Sequence, residues 1–169
     1  ARGAVYGDSV ARLLEAVGYQ VTREFYLNDR GVQMTLFAAS LAARKSGEPL
    51  PEGGYQGEYL IEWAAEMPDD ADPFEWGYAR ALRSIKETLA RVGVHHDVWA
   101  SERALVGAGA VESSLDSLRS ADAVYERDGA TWLRTTELGT GDDKDRVLIK
   151  ADGDYTYLLP DIAYHRDKF

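Results

Sequence analysis

Apolar positions recur at helical spacing from the start of the chain. Tyr6, Val10, Leu13, Leu14 and Val17 line one face, and Gly18 follows as a natural C-terminal cap. Residues 19–27 are rich in β-branched and aromatic side chains and predict a strand. Asn28-Asp29-Arg30-Gly31 then predicts a turn, and Met34, Phe37, Ala38 and Leu41 predict a second amphipathic helix closed by Ser46-Gly47. Helix, strand, turn, helix is the rhythm of an α/β layer fold, with a further strand expected just before residue 1.

The rhythm changes at Gly47. Residues 48–57 hold two prolines and three glycines and predict a loop. Leu60, Trp63, Ala64 and Met67 fall on one helical face. Asp72-Pro73 opens the clearest helix, with Asp72 as cap, Pro73 in the first turn, and Tyr78, Leu82, Ile85, Leu89 and Val92 as its stripe up to Gly93. A short strand is expected over residues 97–100 and a helix around Val111, Leu115 and Leu118. Residues 123–126 and 131–134 predict a hairpin around Asp128-Gly129. Residues 146–150 and 155–158 predict a second strand pair, with Pro160 opening a terminal helix. The four tryptophans, Trp63, Trp76, Trp99 and Trp132, are expected to pack.

The 169 residues, 45% hydrophobic and 28% charged, suit one compact domain or one carrying an insertion. With no cysteine, disulfides, thiolate metal sites and cysteine nucleophiles are excluded. His95 and His96 are adjacent and His165 is remote, so no metal-ligand spacing occurs and no metal site is expected. A net charge of −10 offers no basic surface for phosphates and suits a cationic small molecule better. No apolar run is long enough to span a bilayer as a helix. The chain begins without Met or signal organisation and both ends interrupt a pattern, so an excised fragment is expected.

The chemistry concentrates near the end. Tyr157 is expected at the carboxyl end of a strand and Asp161 in the first turn of the following helix, where α/β folds gather ligands. A carboxylate matches the donor fork of a guanidinium, and a phenol offers a ring face or an oxygen. On spacing alone the alternative stands: Asp161 complements the helix dipole and Tyr157 packs. Asn28, Asp29 and Gln33 at the first turn read equally as a site rim or as a capped turn with Gly31 at its special angle. The run Asp142, Asp143, Lys144, Asp145, Arg146 is either a charged hairpin near a site or a solvated face, and Asp8 with Arg12 is an i,i+4 ion pair.

GDDKDRVLIKADG at 141–153 followed by YLLPDIAYH at 157–165 resembles the bacterial-type arginyl-tRNA synthetases. So do RGAVYGDSVARLLEAVGY at 2–19, FYLNDRGVQ at 25–33 and HHDVWASE at 95–102, in the family's order. The resemblance implies an α/β fold: a partial Rossmann-like nucleotide-binding fold with an incomplete parallel sheet, interrupted by an α+β insertion. Residues 1–47 and 141–169 would be parts of that catalytic domain, and 48–140 an inserted helical and β-hairpin connective domain. It implies a cytoplasmic arginine–tRNA ligase that uses ATP with Mg2+, arginine and the arginine tRNA. Tyr157 and Asp161 would contact arginine, and Asn28, Asp29, Gln33 and His165 would border the site, with no catalytic nucleophile. The family's HIGH-type and KMSK-like signatures do not occur in this chain, and residues 135–141 form a longer link than usual. The piece is therefore expected to recognise arginine, to be inactive alone, to bind nucleic acid weakly and to hold no bound cofactor. Apolar strand faces around residues 21–26 and 147–149 are expected to be uncovered and to recruit another chain. A stand-alone module binding arginine or a related cationic metabolite is the alternative.

Overall fold

A computed structural model describes residues 2–139 and 141–169. The chain forms two compact units, Ala1–Ser101 and Glu102–Phe169.

The first unit contains α1 (Arg2–Ala16), β1 (Glu24–Leu27), α2 (Val32–Ser46), α3 (Tyr59–Glu66), α4 (Pro73–Arg91) and β2 (Val98–Ser101). β1 and β2 run parallel, with Glu24 opposite Val98 and Leu27 opposite Ser101. The strand expected over 19–27 is thus confined to its last four residues. The Asp97 carboxylate receives the Arg23 amide at 2.7 Å just ahead of the pairing. Phe37, Leu41, Leu60, Trp63, Ala64 and Met67 form the core between α2, α3 and α4. Leu41 and Leu60 are fully buried, and each such side chain contributes roughly 1.5–3 kcal/mol. α4 approaches α2 through Gly77, where an added Cβ would meet Phe37 at 2.9 Å and Leu41 at 3.1 Å. Its start is as expected: Pro73 opens the helix and Asp72 accepts the Glu75 amide at 2.8 Å. Its stripe is only partly covered, since Ile85 and Val92 are exposed.

α1 is turned the other way from what its apolar stripe suggests. Ala11 is its one buried residue among those described. Asp8 and Glu15 face the unit, where Arg23 meets Asp8 at 3.1 Å and Glu15 at 2.7 Å. The expected Asp8–Arg12 pair forms at 2.6 Å. Tyr6, Leu13 and Val17 are left 74%, 69% and 73% exposed. The uncovered apolar surface therefore lies on α1 rather than around 21–26 or 147–149, whose large apolar side chains are at least half-buried.

The second unit contains α5 (Glu102–Gly107), α6 (Ala110–Ser120), β3 (Val124–Arg127), β4 (Ala130–Leu133), β5 (Arg146–Ile149) and α7 (Leu158–Lys168). β3 and β4 form the expected hairpin, with Asp128 and Gly129 at φ 53° and 75° in its turn. β5 pairs antiparallel with β4, making one three-stranded sheet in place of two separate pairs. Val111, Leu115, Ala123, Leu133, Leu148, Leu159 and Ala163 form the core. Tyr125 and Trp132 stack across the hairpin at 6.5 Å, and the Arg127 guanidinium lies 4.2 Å from the Trp132 ring.

The two compact units adjoin in sequence after Ser101. β2 lies inside the 48–140 segment yet pairs with β1, and β5 lies outside it yet pairs with β4. The expected strand at 155–158 is reduced to a bridge between Tyr155 and Ile149, and α7 begins at Leu158 with Pro160 as its third residue. Proline is tolerated there because first-turn amides have no partner within the helix.

Candidate functional site

The strand-to-helix junction of the second unit presents Tyr157. Thr156 fastens it from two sides: its amide donates to the Leu148 carbonyl at 2.9 Å and its hydroxyl to the Val147 carbonyl at 2.7 Å. Tyr157 is the next residue, leading into α7 and 80% exposed. One turn on, the Asp161 amide donates to the Tyr157 carbonyl at 3.2 Å. The Asp161 side chain is exposed in the first turn and, among the described residues, has no hydrogen-bond or ion-pair partner. His165, a further turn along and exposed, donates from Nδ1 to the Asp161 carbonyl at 2.8 Å. Tyr157, Asp161 and His165 thus follow one another at four-residue intervals on one side of α7.

β5 brings a second set of charges to this junction. Arg146 donates to the Asp142 carboxylate at 2.6 Å. This bond holds the Asp142 carboxyl below its ordinary range and raises the guanidinium of Arg146, to which the nearby Tyr157 phenol adds a smaller contribution. Asp145 is a hub. It accepts the Thr136 amide at 3.1 Å, the Thr136 hydroxyl at 2.8 Å and the Tyr125 hydroxyl at 2.9 Å. The Thr136 bonds are the main cause of its lowered pKa. Thr135 donates to the Lys144 carbonyl at 2.8 Å. The start of the 135–141 link is therefore pinned to the charged run, while Thr140 lies outside the described residues. The run is neither wholly a solvated face nor wholly a site wall: Asp142 and Asp145 are tied into the fold, and Asp143 and Lys144 are exposed.

The other expected rim residues sit in the first unit, at the carboxyl ends of β1 and β2. Asn28 is exposed. Asp29 is 1% exposed and accepts the Ser101 hydroxyl at 2.5 Å, so its carboxylate faces the fold and not solvent. Gly31 adopts φ 80° ahead of α2, which starts without a side-chain cap. Gln33 is exposed, with its Oε1 accepting the Tyr55 hydroxyl at 3.0 Å. Tyr55 also donates its amide to Ser40 at 2.9 Å, which lays the proline- and glycine-containing loop along α2. The six expected residues therefore divide three and three between the units. Asp142, Asp145 and Arg146 lie in the charged run that the sequence marked, whereas Ser101 was not singled out. Ser101 carried one faint signal, a small polar residue directly after the strand predicted over residues 97–100.

His96 packs edge-on against Phe25 at 5.3 Å and Trp99 at 5.4 Å, a packing role for this histidine. Among the described residues, no three His, Asp or Glu side chains converge as a metal site would require.

The description "tRNA synthetases class I (R), catalytic domain" matches residues 1–52. An arginine–tRNA ligase of Frankia alni is 48% identical to this chain, covering 99% of it and 32% of the ligase. One of Shouchella clausii is 44% identical, covering 100% of the chain and 34% of the ligase. A crystal structure described as an arginyl-tRNA synthetase of Campylobacter jejuni aligns with TM-score 0.86 and 35% identity over 99% of this chain and 40% of its own. A Thermus thermophilus arginyl-tRNA synthetase, 20% identical, shares the fold with TM-score 0.60 over 94% of this chain and 31% of its own. The chain spans about a third of the length of the curated relatives it matches.

Proposed function

Starting from a chain homologous along its whole length to a segment of the arginine–tRNA ligases, we propose that it is part of an enzyme that joins arginine to its tRNA with ATP. The end-to-end match at 44–48% identity to those ligases is the observation that carries this reading. Within it, residues 48–140 are the connective insertion, with β2 lending its strand to the parallel sheet. In the longer protein, arginine's carboxylate attacks the α-phosphate of ATP in line and pyrophosphate leaves; a hydroxyl at the tRNA 3′ end then attacks the arginyl carbonyl of the adenylate and AMP leaves. Such a reaction depends on placement and charge stabilisation more than on a protein nucleophile.

This chain's share is recognition of arginine. The Asp161 carboxylate, free in the first turn of α7, receives the guanidinium, and the exposed Tyr157 ring lies against it. His165 borders this site, and in the first unit Asn28 and Gln33 form an active-site rim of the longer protein, with Asp29 buried behind them. Mg2+ accompanies ATP as part of the substrate in the longer protein. The setting is the cytoplasm, and the main grip on tRNA belongs to other parts of the protein, consistent with a net charge of −10 here. As a separate piece, the chain self-associates through uncovered apolar surface.

The test is arginine-dependent exchange of pyrophosphate into ATP. The gene product carrying this chain is expected to catalyse it, and the 169-residue chain alone, with or without tRNA, is not. Exchange by the isolated chain would overturn its assignment as an incomplete part. A gene product that binds arginine without exchange would favour a binding module.

A further inference from the structure

We propose that Ser101 is a positioning residue for the substrate rim, acting through Asp29. This rests on the reading of the β1–α2 turn as part of that rim. β1 and β2 are parallel and in register, so Leu27 and Ser101 end side by side and both chains leave the sheet at one edge. From that edge β1 passes into Asn28, Asp29 and Gly31, and then into the first turn of α2. Asp29 turns inward to 1% exposure, and the Ser101 hydroxyl meets its carboxylate at 2.5 Å.

A carboxylate withdrawn from water needs donors, and a hydroxyl at this distance supplies a charge-assisted bond. Without it, the buried carboxylate loses one of its donors, and the turn that carries it is held less firmly. Asn28 on one side and the uncapped amide end of α2 on the other would shift with it. Ser101 therefore sets the position of groups it does not touch, and its hydroxyl need never meet a substrate. The bond joins residues 72 positions apart, so it ties the first turn to the far end of the unit.

The experiment compares Ser101→Ala with Ser101→Thr, which keeps the hydroxyl, in the full-length gene product. Ser101→Ala is expected to raise the KM for arginine in pyrophosphate exchange roughly five- to tenfold with kcat within about twofold, and Ser101→Thr to restore it. In the 169-residue chain, amide hydrogen exchange over residues 28–34 should quicken in Ser101→Ala while α7 is unaffected. An unchanged KM and unchanged exchange in Ser101→Ala would overturn the proposal, as would a Ser101→Thr variant as impaired as alanine. Should Ser101→Ala not fold, Asp29→Asn carries the test, with the same KM rise expected and an unchanged KM overturning it. Asp161→Asn separates the two readings. If it impairs arginine use while Ser101→Ala moves nothing, only the Ser101 role fails. If neither variant changes exchange, the site reading fails with it.

Discussion

Asp161 illustrates how much rests on a single side chain. Its carboxylate is exposed and without a partner among the described residues, so removing its charge costs the fold little. Asp161→Asn in the full-length protein is expected to lower kcat/KM for arginine about thirty- to thousandfold, the equivalent of roughly 2–4 kcal/mol for a lost charge-assisted guanidinium contact. Tyr157→Phe should cost less, because the ring face remains. Unchanged arginine kinetics in a folded Asp161→Asn protein would leave only the helix-dipole role. Asp145 makes the opposite case, a carboxylate that serves structure. The Thr136 bonds lower its pKa in the fold. As pH falls, the unfolded state takes up its proton first, so this contribution is complete above the ordinary carboxylate value and disappears as pH drops through the lowered one. Melting temperature followed from about pH 6 to about pH 2 should fall less steeply in Asp145→Asn than in the wild type. Parallel curves would show that the Thr136 and Tyr125 bonds do not couple to stability. Tyr157 and Asp161 stand out in the sequence because their types and spacing suit one ligand. The burial of Asp29 does not, since a turn aspartate looks the same facing water or facing a serine 72 residues away.

At the level of elements, the helices followed local rules. Asp72 caps α4, Pro73 opens it, and Gly47 ends α2 at φ 77°. Asp72→Ala should destabilise the first unit by about 1 kcal/mol in urea unfolding, and no change would show that the Glu75 amide finds water equally well. Gly77 answers to a different rule, because nothing in its local sequence marks it. Its space is filled by Phe37 and Leu41 of α2, so Gly77→Val is expected to cost roughly 1–3 kcal/mol through overpacking despite valine's better helix propensity. A neutral or stabilised variant would mean that α2 and α4 separate at no cost. The strands were less legible. Four residues of the predicted nine pair at β1, and residues 155–158 enter a bridge and then a helix, because pairing depends on a partner strand that periodicity does not specify.

Across the molecule, the distribution of apolar surface carries a consequence. α1 points Asp8 and Glu15 at Arg23 and leaves Tyr6, Leu13 and Val17 to solvent. Exposed stripes of this kind draw apolar partners. Sedimentation of the 169-residue chain is expected to show mass rising with concentration, and Leu13→Glu combined with Val17→Lys to return it to a monomer of unchanged stability. A wild-type chain that stays monomeric at high concentration would remove α1 as the contact.

The amphipathic stripes, the caps, the Asp128-Gly129 hairpin turn and the spacing of Tyr157 to Asp161 were all written in the sequence. Each depends on residues within a turn or two of one another, where backbone geometry leaves few choices. Tertiary structure alone decided that β2 returns to β1, that β5 completes the hairpin sheet, that Asp29 is buried against Ser101 and that α1 turns its charged side inward. These outcomes join residues tens of positions apart. Which of several chemically acceptable partners a strand, a carboxylate or a helix face meets is settled by the packing of the whole unit, and no local pattern encodes it.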